Sequence, residues 1–346
     1  MSFSQQLLIW FDKHGRKDLP WQQQSSAYHV WLSEIMLQQT QVNTVIPYYQ
    51  RFTKQYPTLQ TLANASLDEV LALWTGLGYY ARARNLHKAA TIMVEHYNSE
   101  LPQNIEHLIS LPGIGRSTAG AIMSLAYHQR FPILDGNVKR VLTRYHKLAG
   151  WPGNKAVENK LWLIAQEHLA SERIAHYTQA QMDLGATVCK RSKPLCNICP
   201  LQHECQAYQN GNPQNHPEPK PKKAIPTKEV TWLIIQNEAG EILLEQRPPS
   251  GIWGQLWSFP EVDSLENIDE YCDYSFQIKV TDITSQTSFK HIFSHFKLQI
   301  NPQLINISNT PNYISENNSP SWYKISNALQ LGLPAPVKTF LQSLLN

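Results

Sequence analysis

The 346-residue chain predicts a multidomain protein: an all-α domain over residues 1–208, a linker over 209–226 and an α+β domain over 227–346. Three observations carry this division. Apolar residues recur at three- and four-residue spacing through the front of the chain, the pattern of helices with one buried face. Gln209 to Pro226 (QNGNPQNHPEPKPKKAIP) holds five prolines, three lysines and almost nothing apolar, so it cannot build a core and reads as an extended tether. After it the grammar changes to short strand-like runs, and at 42% hydrophobic the chain supports two cores.

The helical period is kept in Gln5–Lys13, Tyr28–Gln39, Leu67–Leu77, Arg84–Tyr97, Ser117–Tyr127, Val138–Leu148 and Lys155–His168. Pro57, Pro102, Pro112, Gly136 and Pro152 punctuate the gaps. Beyond the tether, Val230–Ile235 and Glu241–Glu245 flank the turn Asn237–Gly240. Phe289–Ile300 predicts a further strand and Pro334–Leu345 a closing helix, which makes the tail α+β. The sequence contains no internal repeat.

The net charge of +3 is uneven: residues 1–208 hold 20 Lys+Arg against 14 Asp+Glu, and residues 209–346 hold 10 against 13. A basic front suits a polyanion, although the excess is modest for its length. The opening MSFSQQLLIWFDKHG has a five-residue apolar run with no basic segment ahead of it, and no stretch approaches the ~20 apolar residues of a membrane span. The expectation is a cytoplasmic, nucleoid-associated monomer with no membrane partner.

Four of the five cysteines, Cys189, Cys196, Cys199 and Cys205, fall within seventeen residues at the spacing C-x6-C-x2-C-x5-C. Thiolates this close repel one another unless a cation or cluster holds them. A reducing compartment argues against disulfides. Zinc ribbons usually carry two C-x2-C knuckles and only one is present, so spacing leaves a four-thiolate zinc site and an iron–sulfur cluster both open. Cys272 reads as an ordinary free thiol.

Leu111-Pro-Gly113-Ile-Gly115-Arg116-Ser117 lies between a short helix and a helix of small residues. Its glycines allow a tight turn whose N–H groups converge at a helix N-terminus. Such a turn holds a phosphate without reading bases, or simply packs two helices. Between Asp18 and Arg51 the only charged residue is Glu34. On a helix its neighbours are Val30, Trp31 and Leu37, so its carboxyl loses hydration, its pKa rises and it becomes a candidate general acid. A second carboxyl, Asp135, precedes a helix in Leu134-Asp-Gly-Asn137-Val-Lys139-Arg140, where it also suits an N-cap.

The hairpin, the loop ending in Asp135 and the four-cysteine segment together resemble the helix-hairpin-helix DNA glycosylases of the endonuclease III superfamily, over nearly all of residues 1–208. The resemblance implies a [4Fe–4S] cluster on Cys189, Cys196, Cys199 and Cys205, with Lys190, Arg191 and Lys193 in a loop resting on DNA phosphates. SEIMLQQTQV and LWTGLGYYARARNLH resemble the adenine-removing, MutY-type branch. That implies that Glu34 protonates N7 of a flipped adenine, Asp135 stabilises the oxocarbenium ion, and Asn137 orders the catalytic groups and water. Ser117 stands where bifunctional relatives carry a Schiff-base lysine, which implies a monofunctional enzyme. Lys139, close to Asp135, is a candidate for weak adventitious lyase chemistry. Gln39 and Tyr79 match residues inserted at the lesion pair. Trp21 and Leu37 match the adenine pocket, and Gly113 and Gly115 the phosphate turn. Arg82, Arg84 and His87 are candidates for phosphate contact.

Glu245–Pro260 (EQRPPSGIWGQLWSFP) resembles the start of a Nudix domain, but the carboxylate-rich Nudix box does not follow, so no Mg²⁺ site for diphosphate hydrolysis forms. In MutY-type proteins this domain reads 8-oxoguanine with a Phe-Ser-His loop, which corresponds here to Phe293, Ser294 and His295. The expected partner is double-stranded DNA carrying A:8-oxoguanine or A:G mispairs, followed by downstream repair proteins. Two rivals make different demands. A bifunctional pyrimidine-lesion glycosylase/lyase wants lysine at 117 and no acid at 34. A non-enzymatic helix-hairpin-helix protein with structural zinc is colourless, whereas an iron–sulfur protein is brown.

Overall fold

The computed structural model describes residues 1–346 apart from 24–25, 222–223, 264–267, 294, 309–319 and 346. By its contacts the chain forms two units, Met1–Asn64 with Asn85–Lys222, and Ala65–Arg84 with Lys223–Asn346. Among the described residues no helix is long and apolar enough to cross a membrane.

The first unit is helical. Its helices Phe3–His14, Ala27–Leu37, Arg116–Leu125, Gly136–Tyr145 and Lys155–Glu167 start and stop within three residues of the periodic runs. Phe3–His14 begins with a reciprocal Ser2–Gln5 capping box, which satisfies two otherwise orphaned N–H groups. Among the described residues of this unit, two helices of ten residues or more escaped the periodicity. Val42–Gln55 contains Pro47, a residue that costs a helix interior about 3 kcal/mol. Burial of Val45, Tyr49 and Phe52 along one face offsets that cost. Ile174–Asp183 looks polar (IAHYTQAQMD), yet Tyr177, Thr178, Gln179, Gln181 and Asp183 are all buried. It packs against Phe3–His14 and Arg116–Leu125 and, apart from His176, exposes too little surface for an apolar stripe to be told apart.

Around this central helix lies a core that includes Leu7, Leu142, Leu161, Tyr177 and Leu184. The helix Arg116–Leu125 has Gly120 where the backbone of the next loop passes: a Cβ there would stand 2.5 Å from the Pro132 carbonyl oxygen. That close approach lets residues 131–134 run along the helix and deliver Asp135 to the start of Gly136–Tyr145. A π-helical turn, Leu184–Val188, follows the central helix and leads into Cys189. Such turns widen the helix locally and are frequent at functional sites.

Among the described residues, the second unit is built on a mixed sheet of eight strands: β1 (Thr227–Gln236), β2 (Ile242–Gln246), β3 (Trp257–Ser258), β4 (Glu261–Val262), β5 (Val280–Ser285), β6 (Phe289–Ile292), β7 (Lys297–Ile307) and β8 (Ser321–Tyr323). The order is β3-β2-β1-β7-β5, with β4 against β1, β6 against β7 and β8 against β2. Strands β1 and β7 pair in parallel from Thr227↔Lys297 to Gln236↔Asn306, and the other pairs are antiparallel. The middle of β1 is buried throughout, whereas β7 alternates, as a central strand and a one-sided strand should. Helices Ile268–Phe276 and Ala335–Ser343 complete the fold.

One expectation is corrected here. Phe289–Ile300 is not a single strand, because β6 and β7 form a hairpin with Phe289 opposite Ile300 and Ile292 opposite Lys297. Its alternating aromatics read as continuous, but the chain reverses where the Phe293 N–H donates to the Phe296 carbonyl at 2.9 Å.

Candidate active site

Glu34 rides on Ala27–Leu37, where Val30, Trp31, Leu32, Ile35 and Met36 are buried. Its carboxyl opens into a cavity of ≈ 800 Å³. The same cavity takes Trp21, Leu37 and Gln39 from the front of the chain, Ser117, Asp135 and Asn137 from its middle, and Lys190 and Arg191 from the cysteine segment. Residues from four separate stretches of the chain thus meet around one space.

Burial pushes the Glu34 carboxyl up to about 8, and the negative charge of Asp135 adds to the rise. Asp135 caps Gly136–Tyr145, its Oδ1 accepting from the Val138 N–H at 2.8 Å and its Oδ2 from Asn137 Nδ2 at 3.2 Å. Burial raises its pKa as well, while these donors and the Arg140 charge pull the other way. The two carboxyls are therefore unlike: one lies in apolar surroundings that keep it protonated, the other is supplied with donors that favour the ion.

Three arginines that the sequence reading left unassigned hold the site together. Arg140 donates to Asn137 Oδ1 at 2.8 Å, to the Gly185 carbonyl at 2.8 Å and to the Cys189 carbonyl at 2.7 Å. Arg144, one turn later and 2% exposed, donates to the Lys190 and Arg191 carbonyls and approaches Cys189 Sγ at 3.3 Å. The helix that Asp135 caps is thereby bonded directly to the cysteine segment. Arg16 donates to the fully buried Asp183 through its backbone N–H at 2.7 Å and its side chain at 2.8 Å. Gln179 also donates to Asp183 at 2.8 Å and lines the cavity. No local signal marked Asp183 or Gln179, since both lie on the helix without a clear polar face.

Cys189, Cys196, Cys199 and Cys205 are free, partly buried, and line one small cavity with Arg144. Ser117 Oγ accepts from the Leu134 N–H at 2.9 Å, tying the start of the helix Arg116–Leu125 to the loop that carries Asp135. Gly113 has φ 80, and Gly115 opens the helix Arg116–Leu125 with no side-chain cap. Lys139 pairs with Glu158 at 2.7 Å and is not among the cavity's lining residues.

Gln39 and Tyr79 both hold the left-handed conformation, with φ 57 and 51, although neither is glycine. Such strain gathers at functional positions. Tyr79 is half exposed and belongs to the second unit. In that unit Arg84 donates to the Gly254 carbonyl at 2.8 Å. Phe293 and His295 occupy the β6–β7 turn, and Ser294 lies outside the described residues.

Comparisons with known proteins agree with this architecture. Residues 32–167 match the HhH-GPD superfamily of base excision DNA repair proteins, and residues 231–343 match the NUDIX domain. The chain is 41% identical to the adenine DNA glycosylase of Buchnera aphidicola subsp. Acyrthosiphon pisum, covering 99% of this chain and 97% of that relative. It is 36% identical to the adenine DNA glycosylase of Homo sapiens, covering 86% of this chain and 65% of that one. A solved structure of a thermostable thymine-DNA glycosylase superposes with TM-score 0.54 at 25% identity, over 60% of this chain and 95% of that one. With a glycosylase fold in front, a Nudix-like fold behind and such identity across nearly its full length, the chain belongs to the adenine DNA glycosylase family, hydrolases of the N-glycosidic bond in base excision repair.

Proposed function

We propose that this enzyme removes adenine mispaired with 8-oxoguanine, and adenine opposite guanine, from double-stranded DNA, acting essentially as a monofunctional glycosylase. The observation that carries the reading is the meeting of Glu34, held protonated with its carboxyl pushed up to about 8, and the donor-supplied Asp135 on one cavity. Adenine reaches this cavity by flipping out of the stack. Glu34 gives its proton to N7, and the C1′–N9 bond breaks with its electron pair going to the base. Asp135 steadies the sugar cation that is left, in the manner of paired carboxylates in glycoside hydrolysis. Water adds at C1′, and its proton restores the Glu34 acid. Asn137, fixed between Asp135 and Arg140, orients these groups. Trp21 and Leu37 wall the base, Lys190 and Arg191 meet phosphate, and Gln39 and Tyr79 fill the vacated stack.

The four cysteines suit a [4Fe–4S] cluster better than zinc. Zn–S bonds of about 2.3 Å would draw four sulfurs to within about 3.8 Å of one another. Among the described residues, no three His, Cys, Asp or Glu side chains are grouped closely enough to hold a single ion. A cluster separates its ligands by its own width. When bound it supplies fixed charge and stiffness to the segment that carries Lys190 and Arg191.

The test uses duplexes with a single adenine opposite 8-oxoguanine, guanine or thymine, treated with alkali after incubation. Cleavage at the adenine should be fastest opposite 8-oxoguanine, slower opposite guanine and absent opposite thymine. Ser294→Ala should erode the preference for 8-oxoguanine. Equal rates on all three duplexes would overturn the assignment.

A further inference from the structure

Tyr79, which the reading above inserts into DNA, is carried by the second unit together with the β6–β7 turn that the same reading assigns to the opposite base. Its loop is tied down at several points. The Tyr80 hydroxyl donates to the Leu333 carbonyl at 3.0 Å and accepts from the Gly76 N–H at 3.3 Å. In the helix Leu67–Trp74 just before it, Asp68 accepts from Gln246 at 2.9 Å. Gly332 packs so closely on this helix that a Cβ would stand 2.9 Å from Leu71 Cβ. After the loop, Arg84 reaches the Gly254 carbonyl.

The acceptor Gly254 is next to Trp253, whose ring lies 5.4 Å from Phe293 and 5.5 Å from His291. The segment between is stiff. A Cβ at Gly254 would stand 2.6 Å from the Pro249 carbonyl oxygen, Trp253 and Gln255 hold positive φ, and the Arg247 N–H donates to the Leu256 carbonyl at 2.9 Å. A continuous run of packed contacts therefore joins the Tyr79 loop to the hairpin turn.

We propose that residues 247–257 are a rigid bridge coupling these two loops, so that reading the base opposite adenine and inserting Tyr79 are one mechanical event. Trp253 is its positioning residue at the turn end, and Tyr80 the one at the loop end, bonded to Leu333 beside the Gly332 carbonyl that accepts from the Trp257 N–H at 2.9 Å. The coupling rests on the proposed roles of Tyr79 and of the β6–β7 turn. It assigns the preference for 8-oxoguanine not only to contacts with that base but to where the bridge holds the wedge.

Single-turnover excision opposite 8-oxoguanine and opposite guanine is compared for wild type, Trp253→Leu, Tyr80→Phe, the double variant and Ser294→Ala. Each bridge variant should lower the 8-oxoguanine-to-guanine rate ratio by about tenfold, a size typical of coupling within one contact network. The double variant should lose little more than the worse single one. A 2-aminopurine placed beside the target adenine should report slower opening in the 8-oxoguanine duplex only. Tyr80→Phe removes one oxygen and tests the idea even if Trp253→Leu folds poorly. An unchanged ratio in Tyr80→Phe and Trp253→Leu, beside a ratio eroded in Ser294→Ala, defeats the bridge alone. A wild type without preference, or an unaffected Ser294→Ala, defeats the underlying assignment as well.

Discussion

Glu34→Gln removes the proton donor while keeping the side chain's shape, and it has a consequence for stability that can be worked out. The carboxyl ordinarily titrates near 4.5 and is pushed up to about 8 by burial and by Asp135. Between those values the folded protein binds a proton that the unfolded chain has released, so wild-type stability falls as pH rises through that window. At about 1.36 kcal/mol for each tenfold change in proton concentration, the loss is about 3 kcal/mol at pH 7 and about 5 kcal/mol well above pH 8. Glutamine carries no charge at any pH. The variant should therefore melt with wild type at pH 4.5 and above it at pH 8, by about 2–4 °C for each kcal/mol. Excision should fall by about 10²–10⁴, the usual worth of a general acid, with affinity for the mispaired duplex retained. Wild-type excision should also decline above pH 8 as the acid ionises. Melting curves at the two pH values and alkali-cleavage rates measure both effects. A melting difference that ignores pH, or a fully active variant, would refute a desolvated acid at this position.

Further outcomes follow from neighbouring geometry. Asp135→Asn keeps a residue that caps a helix about as well, so the 2.8 Å bond to the Val138 N–H should persist and melting change little while excision drops. Gly185→Ala puts a Cβ 2.5 Å from Asn137 Cβ. Overpacking of this kind costs about 1–3 kcal/mol, and urea titration together with excision assays should show both lower stability and slower turnover. Asp183→Asn leaves Arg16 without its buried carboxylate. Breaking such a pair costs about 3–5 kcal/mol, a loss that urea titration would register and that a variant of unchanged stability would contradict.

The sequence alone determined what depends on neighbours along the chain. Seven helices follow from periodicity, the four-cysteine segment from its spacing, and an isolated acid from the uncharged stretch around Glu34, whereas the proline-rich stretch expected to be an extended tether belongs to the first unit as far as Lys222, with Arg144 donating to the His216 carbonyl. Tertiary structure decided everything that depends on approach across space. The rise at Glu34 owes part of its size to Asp135, which no local pattern links to it. Asp183 becomes a clamp only because Arg16 folds onto it, and Arg140 becomes the tie between Asn137 and Cys189 only because a π-helical turn brings Gly185 alongside. Likewise the aromatic run from Phe289 is one strand by alternation and two strands in fact, since alternation records which face a side chain takes and not where the backbone turns back. Propensity and pattern are properties of a few adjacent residues, whereas desolvation, charge coupling and packing are set by whichever distant segments the fold presses together.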